Sequence, residues 1–233
     1  MPKQRLLNQD FFKTWSHEMA YTLGFFAADG SMLKNARGAH FIEFTVIDRI
    51  LLEFIQAATK SDHRIAERER GGNCRTAYRL QIGSKEWFAD LEKLGFTQGK
   101  SKTLRLPKVP TEFESSFIRG YFDGDGCVYF KELKFADRAR KRWILMATFT
   151  SGSREFLESL WRILKRHDIN GGSIRQKTRG FDLALSHRDS LALYRLMYHT
   201  GSTTGFFLPR KHLLFEKAFK TLYGKEFIDN VRS

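Results

Sequence analysis

Two carboxylates stand in the same local setting twice in this chain. Asp29 closes the segment Tyr21-Thr-Leu-Gly-Phe-Phe-Ala-Ala-Asp-Gly30. Asp125 closes Phe117-Ile-Arg-Gly-Tyr-Phe-Asp-Gly-Asp-Gly126, 96 residues later. Each segment reads as a helix ending in Asp-Gly. The acid then faces the negative end of the helix dipole, and the glycine after it suits a left-handed cap. Gly24 and Ala28 are four residues apart and share one helix face, as do Gly120 and Gly124. Small residues at that spacing let two helix backbones approach closely. The two helices are therefore expected to pack along this seam and bring Asp29 and Asp125 together. Adjacent carboxylates repel, and a divalent cation between them removes the repulsion. Hard oxygen ligands favour Mg²⁺, which keeps waters and accepts phosphate oxygens. Such a site can polarise a scissile phosphate and activate a water for in-line attack. A lone Asp-Gly is an ordinary helix stop, so the weight lies on the repetition.

The elements that must hold these acids repeat as well. Phe44-Thr45 with Leu51-Leu52-Glu53 parallels Phe149-Thr150 with Phe156-Leu157-Glu158, and Leu106-Pro107 parallels Leu208-Pro209. Landmarks kept in order mark an internal repeat. After each Asp-Gly helix two strands are expected. Ala39–Val46 turns Ile42, Phe44 and Val46 to one side, and Ile144–Thr150 turns Leu145, Ala147 and Phe149. An amphipathic helix follows, about Asp48–Thr59 in the first half and about Ser153–His167 in the second. Then comes a hairpin. Its arms are Ile65–Arg70 and Arg75–Ile82 around Gly71-Gly72-Asn73, and Ser173–Arg179 and Phe181–Leu185 around Gly180. A last helix closes each half, about Lys85–Leu94 and about Arg188–Tyr198. The fold class is α+β, two pseudo-symmetric αββαββα halves with antiparallel sheets, taken as residues 1–112 and 113–233.

Composition limits the partner. Of 233 residues 42% are apolar and 22 are Phe, ample for a core. Lys and Arg total 40 against 26 Asp and Glu, a formal charge of +14. A folded chain this basic repels itself, and nucleic acid is the commonest anion that relieves it. The two cysteines, Cys74 and Cys127, form no CxxC pair and no disulfide framework. The seven His are scattered, which argues against a Cys/His metal site. No signal-peptide or membrane-spanning segment stands out. A soluble intracellular protein, in a prokaryotic cytoplasm or organelle matrix and not secreted, is the expectation.

These residues resemble the LAGLIDADG homing endonucleases in their single-chain, two-motif form. The motifs stand as Thr22-Leu-Gly-Phe-Phe-Ala-Ala-Asp-Gly30 and Ile118-Arg-Gly-Tyr-Phe-Asp-Gly-Asp-Gly126, and Gly99-Lys-Ser-Lys-Thr-Leu-Arg-Leu-Pro107 also looks like this family. The second motif is the more specific; the first has Ala27 where the motif name has its first Asp. The resemblance runs from about Ser16 to Tyr223. It implies two four-stranded antiparallel sheets forming a saddle over double-stranded DNA. It implies Mg²⁺ on Asp29 and Asp125, with Mn²⁺ able to substitute and Ca²⁺ supporting binding without cleavage. Each half would cut one strand of a long, roughly palindromic site and leave short 3′ overhangs. A basic residue beside each scissile phosphate is also implied: Lys100 in the first half, and position 202, here Ser202, in the second. The fused halves imply a monomer. The chain begins and ends without the nucleophile and Asn of a self-splicing intein, which favours a free-standing or intron-encoded protein. A cleavage-inactive DNA-binding regulator or RNA-splicing maturase is the alternative on the same fold.

Strand alternation selects the residues that would meet DNA. In the first half these are Asn35, Arg37, Glu43, Arg68, Arg70, Arg75, Arg79 and Gln81. In the second they are Lys131, Arg142, Arg175, Lys177 and Arg179. Arg and Gln can make bidentate contacts to guanine and adenine edges, and Lys more often meets phosphate. The basic run Lys134–Arg142 reads as a loop between strands. Two other motifs fail on context. Phe122-Asp-Gly-Asp-Gly-Cys127 resembles a haloacid-dehalogenase nucleophile, but it lies mid-chain and its repeat partner has Ala27 at the nucleophile position. An EF-hand loop from Asp123 would need an acid where Lys134 stands.

Overall fold

The computed structural model describes residues 5–69, 75–134, 140–199 and 205–224. The first half runs α1 (His17–Asp29), β1 (Gly30–Lys34), β2 (His40–Val46), α2 (Arg49–Thr59), β3 (Ile65–Arg68), β4 (Ala77–Gly83) and α3 (Lys85–Lys93). Two 3-10 turns, Lys100–Lys102 and Thr111–Phe113, lead into the second half. That half runs α4 (Glu114–Asp125), β5 (Gly126–Leu133), β6 (Arg142–Ser151), α5 (Arg154–Arg166), β7 (Ser173–Lys177), β8 (Gly180–Leu185), α6 (His187–His199) and α7 (Pro209–Tyr223). Each half folds one antiparallel sheet of four strands, ordered β1-β2-β4-β3 and β5-β6-β8-β7. The expected αββαββα pattern is present twice. The turn expected at residues 71–73, with Arg70, Cys74 and Ser202, lies outside the described residues, as does most of the 134–142 run.

Register follows the apolar alternation. Phe44 pairs with Leu80 and Ile42 with Ile82, and all four are buried. One helix-covered face per sheet satisfies these side chains, and a one-residue slip would carry them all to solvent. The opposite face is left open.

The helices α1 and α4 are buried almost all round, from Met19 to Ala27 and from Ser116 to Asp123. They cross at the small residues. A Cβ on Gly24 would lie 2.0 Å from the Phe117 carbonyl oxygen, and one on Gly120 would lie 2.0 Å from that of Tyr21. Only glycine allows this approach, because the obstructing atoms are backbone.

Two sequence expectations need correction. Gly30 and Gly126 are not left-handed caps; their φ values are −84° and −91°, with extended ψ. Each helix passes directly into a strand, so no reversal is needed. Glycine is required there for space instead, since a Cβ would meet the Phe26 ring at 2.0 Å or the Phe122 ring at 2.3 Å. The second half also carries an unforeseen helix, α7. Pro209 opens it, and Phe215 packs against Phe122 and Tyr194, with ring centroids 5.8 and 5.6 Å apart.

Candidate metal centre and nucleic-acid face

The α1–α4 crossing places both aspartates at one point. A Cβ on Gly124, the residue before Asp125, would lie 3.0 Å from the Asp29 carboxylate. Burial pushes the Asp29 carboxyl up to about 7, helped by the charge of Asp125 and opposed by Lys211 and Lys100. Asp125 is also raised, by burial first, with Lys100 and Lys211 opposing. Among the described residues no three His, Cys, Asp or Glu side chains gather to enclose a metal. A cation here would hold two carboxylates and draw its other ligands from water and substrate. That suits Mg²⁺, which commonly binds through one or two carboxylates plus phosphate oxygens. The crowded like charges provide the incentive, so the residues present fit the ion.

Two lysines flank the pair. Lys100, 6% exposed, donates to the Ala27 carbonyl at 2.7 Å. Lys211, 4% exposed, donates to the carbonyls of Phe122 at 2.6 Å and Asp123 at 2.9 Å. Each ammonium thus meets carbonyls at the negative end of a motif helix. Each also sits over the aromatic ring of that helix, 5.4 Å from Phe26 and 5.3 Å from Phe122. Burial lowers both lysines to about 8, against the pull of neighbouring carboxylates.

The repeat register does not reach Lys211; at the second-half position it puts Ser202, which is not basic. The register of Leu106-Pro107 on Leu208-Pro209 sends position 100 to 202, but the second lysine follows its Leu-Pro instead of preceding it. It is delivered by α7. Pro209 followed by Leu214, Phe215, Ala218, Phe219 and Leu222 was a legible amphipathic helix; nothing in the sequence pointed its first turn at Asp125.

Asp123 is not a nucleophile. It is buried, and its Oδ2 accepts from the Tyr21 hydroxyl and the Leu208 amide, each at 2.8 Å. It ties the segment entering α7 to the central helices, a role that Ala27 cannot play in the first half.

On the open face of the first sheet, Glu43 lies opposite Gln81 and Thr45 opposite Arg79. Gln81 donates to Glu43 at 3.1 Å, and Arg79 is 3.7 Å from it. Arg68 ends β3 on the same face and is exposed. Arg75 precedes β4, so strand alternation does not fix its direction. Asn35 and Arg37 lie in the β1–β2 turn, where the Asn35 side chain accepts from the amides of Arg37 and Ala39. In the second half Lys131 and Arg142 are exposed on β5 and β6. Arg175 lies opposite Asp182 on the open face, and Lys177 pairs with Asp182 at 2.7 Å. Arg179 is exposed in the β7–β8 turn.

Two repeated halves and a pair of aspartates at a glycine-lined helix crossing define the class. A family model described as a LAGLIDADG-like domain matches residues 16–94 and 112–195. The chain belongs to the LAGLIDADG family. Its fold is similar to that of the meganuclease I-SmaMI bound to uncleaveable DNA, at 15% identity over 91% of this chain and 96% of that one, with a TM-score of 0.57. It is also similar to the homing endonuclease I-LtrWI bound to target DNA, at 12% identity over 97% of each chain and the same TM-score of 0.57. Among curated proteins it resembles part of the RNA polymerase subunit Rpo1C of Methanocaldococcus jannaschii, at 26% identity over 92% of this chain and 22% of that one. It also resembles part of a probable translation initiation factor IF-2 of Thermococcus kodakarensis, at 33% identity over 52% of this chain and 9% of that one. The chain therefore spans less than a quarter of these relatives. No described helix is long and apolar enough to cross a membrane.

The buried charges predict a pH signature. Between about 4 and about 7 the folded chain keeps a proton on Asp29 that the unfolded chain has lost. This contribution to stability is complete at low pH and falls as pH rises through that window. The lysines act in the opposite sense: above about 8 the folded chain gives up protons that the unfolded chain holds to 10.5, so their penalty eases as pH rises. A cation that binds the ionised carboxylates should therefore stabilise the protein more at pH 7.5 than at pH 5.5. With Mg²⁺ at ten times its Kd, the gain is about 1.4 kcal/mol, or roughly 3–6 °C in Tm. Thermal melts at both pH values, with and without Mg²⁺, check this; an equal shift at both would place the ion elsewhere.

Proposed function

We propose that this protein is a site-specific, metal-dependent double-strand DNA endonuclease. The observation that carries the reading is the site itself: Asp29 and Asp125 at the ends of two crossed helices, each helix end held by its own buried lysine. Asp29 and Asp125 would hold Mg²⁺, which supplies charge neutralisation at phosphate and a more acidic water. Lys100 and Lys211, each lowered by burial to about 8, would exchange protons with that water or stabilise charge on the phosphate. The open sheet faces would lie over duplex DNA as a saddle. Gln81, Arg79 and Arg175 are candidates for base edges, and Lys131 and Lys177 for phosphates. Thirteen positions were expected to meet DNA: Asn35, Arg37, Glu43, Arg68, Arg70, Arg75, Arg79, Gln81, Lys131, Arg142, Arg175, Lys177 and Arg179. They remain the proposed interface, with Asn35 also serving its turn.

The curated relatives support a module carried within unrelated proteins. A polymerase subunit and a translation factor share no task, and the segment alike in both is a small part of each. Their transcription and translation roles therefore do not transfer to this chain.

A cleavage selection tests the reading. The protein is incubated with a randomised duplex library in Mg²⁺ and, separately, in Ca²⁺. Defined double-strand cuts with short 3′ overhangs in Mg²⁺, and binding alone in Ca²⁺, are expected. Selective binding without a cut in any divalent ion would assign the regulator or maturase role instead.

The two lysines should divide the strands. Lys100→Met and Lys211→Met are each expected to slow one strand about 100-fold, a different strand in each variant. A duplex labelled separately on its two strands shows this directly. Equal slowing of both strands by either variant would deny the lysines separate roles.

A further inference from the structure

The two lysines are held in place by different means, and the difference reaches across the halves. Beside Lys100, the Ser101 carbonyl packs on Gly152, whose added Cβ would lie 2.3 Å from that oxygen. Gly152 precedes Ser153, the residue that caps α5 by accepting from the Phe156 amide at 3.2 Å. This contact is backbone against backbone. Beside Lys211, the docking is charged. Arg210 grips Asp48 with three hydrogen bonds: Nε to both carboxylate oxygens at 3.1 Å, and Nη2 to Oδ2 at 2.7 Å.

Asp48 occupies the N-cap position of α2, as Ser153 does for α5, yet its side chain makes no cap hydrogen bond. Its carboxylate is committed to a residue of the other half. The cleft between the halves here, about 260 Å³, is lined by Asp29, Asp48, Gly124 and Arg210 among others. The Arg210 side chain is 59% exposed and that of Asp48 26%. Pairs this wet add little to stability, so the clasp needs another reason to exist.

We infer that the Asp48–Arg210 clasp positions Lys211 against the aspartate pair, so that one strand's cleavage depends on a contact from the opposite half. A bidentate fork fixes orientation as well as distance. Arg210 and Lys211 are consecutive in the first turn of α7, so restraining one restrains the other. On the first-half side the cross-half pair is Arg105–Glu155, a single 3.5 Å contact between side chains 76% and 60% exposed and five residues away from Lys100. Lys100 is therefore held more loosely by charge, and the dependence is stronger for Lys211. Asp48 and Arg210 are positioning residues on this account, and the inference rests on the nuclease reading above.

The test uses the whole protein and a duplex recovered from the selection, its strands labelled separately. Lys211→Met identifies the strand that Lys211 serves. Asp48→Asn should slow that same strand by about 10-fold to 100-fold, as small misplacements do, and leave the other nearly unchanged. Arg210→Lys should fall between parent and Asp48→Asn, and the Asp48→Asn/Arg210→Gln double variant should be no slower than the worse single one. Glu53→Gln, which breaks an exposed pair with Arg49 on the same helix, should change neither strand. A second readout does not need cleavage. The amides of Lys211 and His212, bonded to the Leu208 carbonyl, should exchange hydrogen faster in Asp48→Asn and not in Glu53→Gln. A parent that cuts neither strand overturns the nuclease reading and the clasp with it. A parent that cuts both, with Asp48→Asn slowing neither or slowing both alike, overturns the clasp alone. Loss of DNA affinity in Arg210→Gln but not in Asp48→Asn would do the same, by making Arg210 a DNA contact.

Discussion

Asp29→Asn should bind its target duplex with the parental affinity and cut it at least about 1,000-fold more slowly, a loss on the order of 4 kcal/mol of transition-state stabilisation. The amide keeps the size of the carboxylate, and Asp29 lies beside Gly124 where the two helices meet, so the packing of the crossing is preserved. What disappears is half the charge that would hold the cation. Binding should survive because it draws on the basic sheet faces and the +14 excess of the chain. Removing a negative charge from beside the phosphates could only favour association. Electrophoretic shifts in Ca²⁺ report binding, and single-turnover cleavage in Mg²⁺ reports chemistry. Parental cutting by Asp29→Asn would remove it from the metal site. The same substitution should also abolish most of the Mg²⁺-dependent gain in thermal stability predicted above, which ties the two measurements to one carboxylate.

The second large effect concerns stability. Gly120→Val should cost about 3 kcal/mol or more, the upper end of what overpacking does in cores. The first added carbon already falls 2.0 Å from the Tyr21 carbonyl oxygen and 3.0 Å from the Phe25 amide nitrogen. Both are helix backbone, and neither can move without parting α1 from α4. In this size class a loss of that order lowers Tm by roughly 6–12 °C. Urea titration should show a lower midpoint with an unchanged slope, because the same surface is exposed on unfolding. Gly205→Ala, with open space around its Cβ position, serves as the neutral comparison. A Gly120→Val protein as stable as its parent would mean that the helices are farther apart than described. Beyond stability, the crossing sets the separation of Asp29 and Asp125, so survivors of seam substitutions should lose cleavage before they lose binding.

Much of this architecture was open to a reader of the sequence alone. Period-two apolar runs at Ile42, Phe44 and Val46, and again at Leu145, Ala147 and Phe149, determine which sheet face is buried, because every strand side chain alternates. The small residues Gly24, Ala28, Gly120 and Gly124 announce a close helix pair, because little else explains that spacing on both motif helices. Asp29 and Asp125 follow from the repeat. These are local patterns with local causes, and the chain carries them in its order of residues.

Other features exist only once the chain has closed on itself. Gly30 and Gly126 looked like turn formers, and their need for glycine turned out to come from the rings of Phe26 and Phe122 lying against them. Lys211 reaches α4 from a helix more than eighty residues later in the chain, and Asp48 meets Arg210 across 162 residues. No periodicity encodes such meetings. They depend on how two halves dock and where α7 enters, and those choices are made by packing many buried side chains at once. Sequence determined the repeat, the sheet faces and the paired acids, and the family resemblance pointed to Lys100; only the tertiary structure put Lys211 and the Asp48–Arg210 pair beside them, because contacts between such distant segments are a product of the closed fold and leave no pattern along the chain.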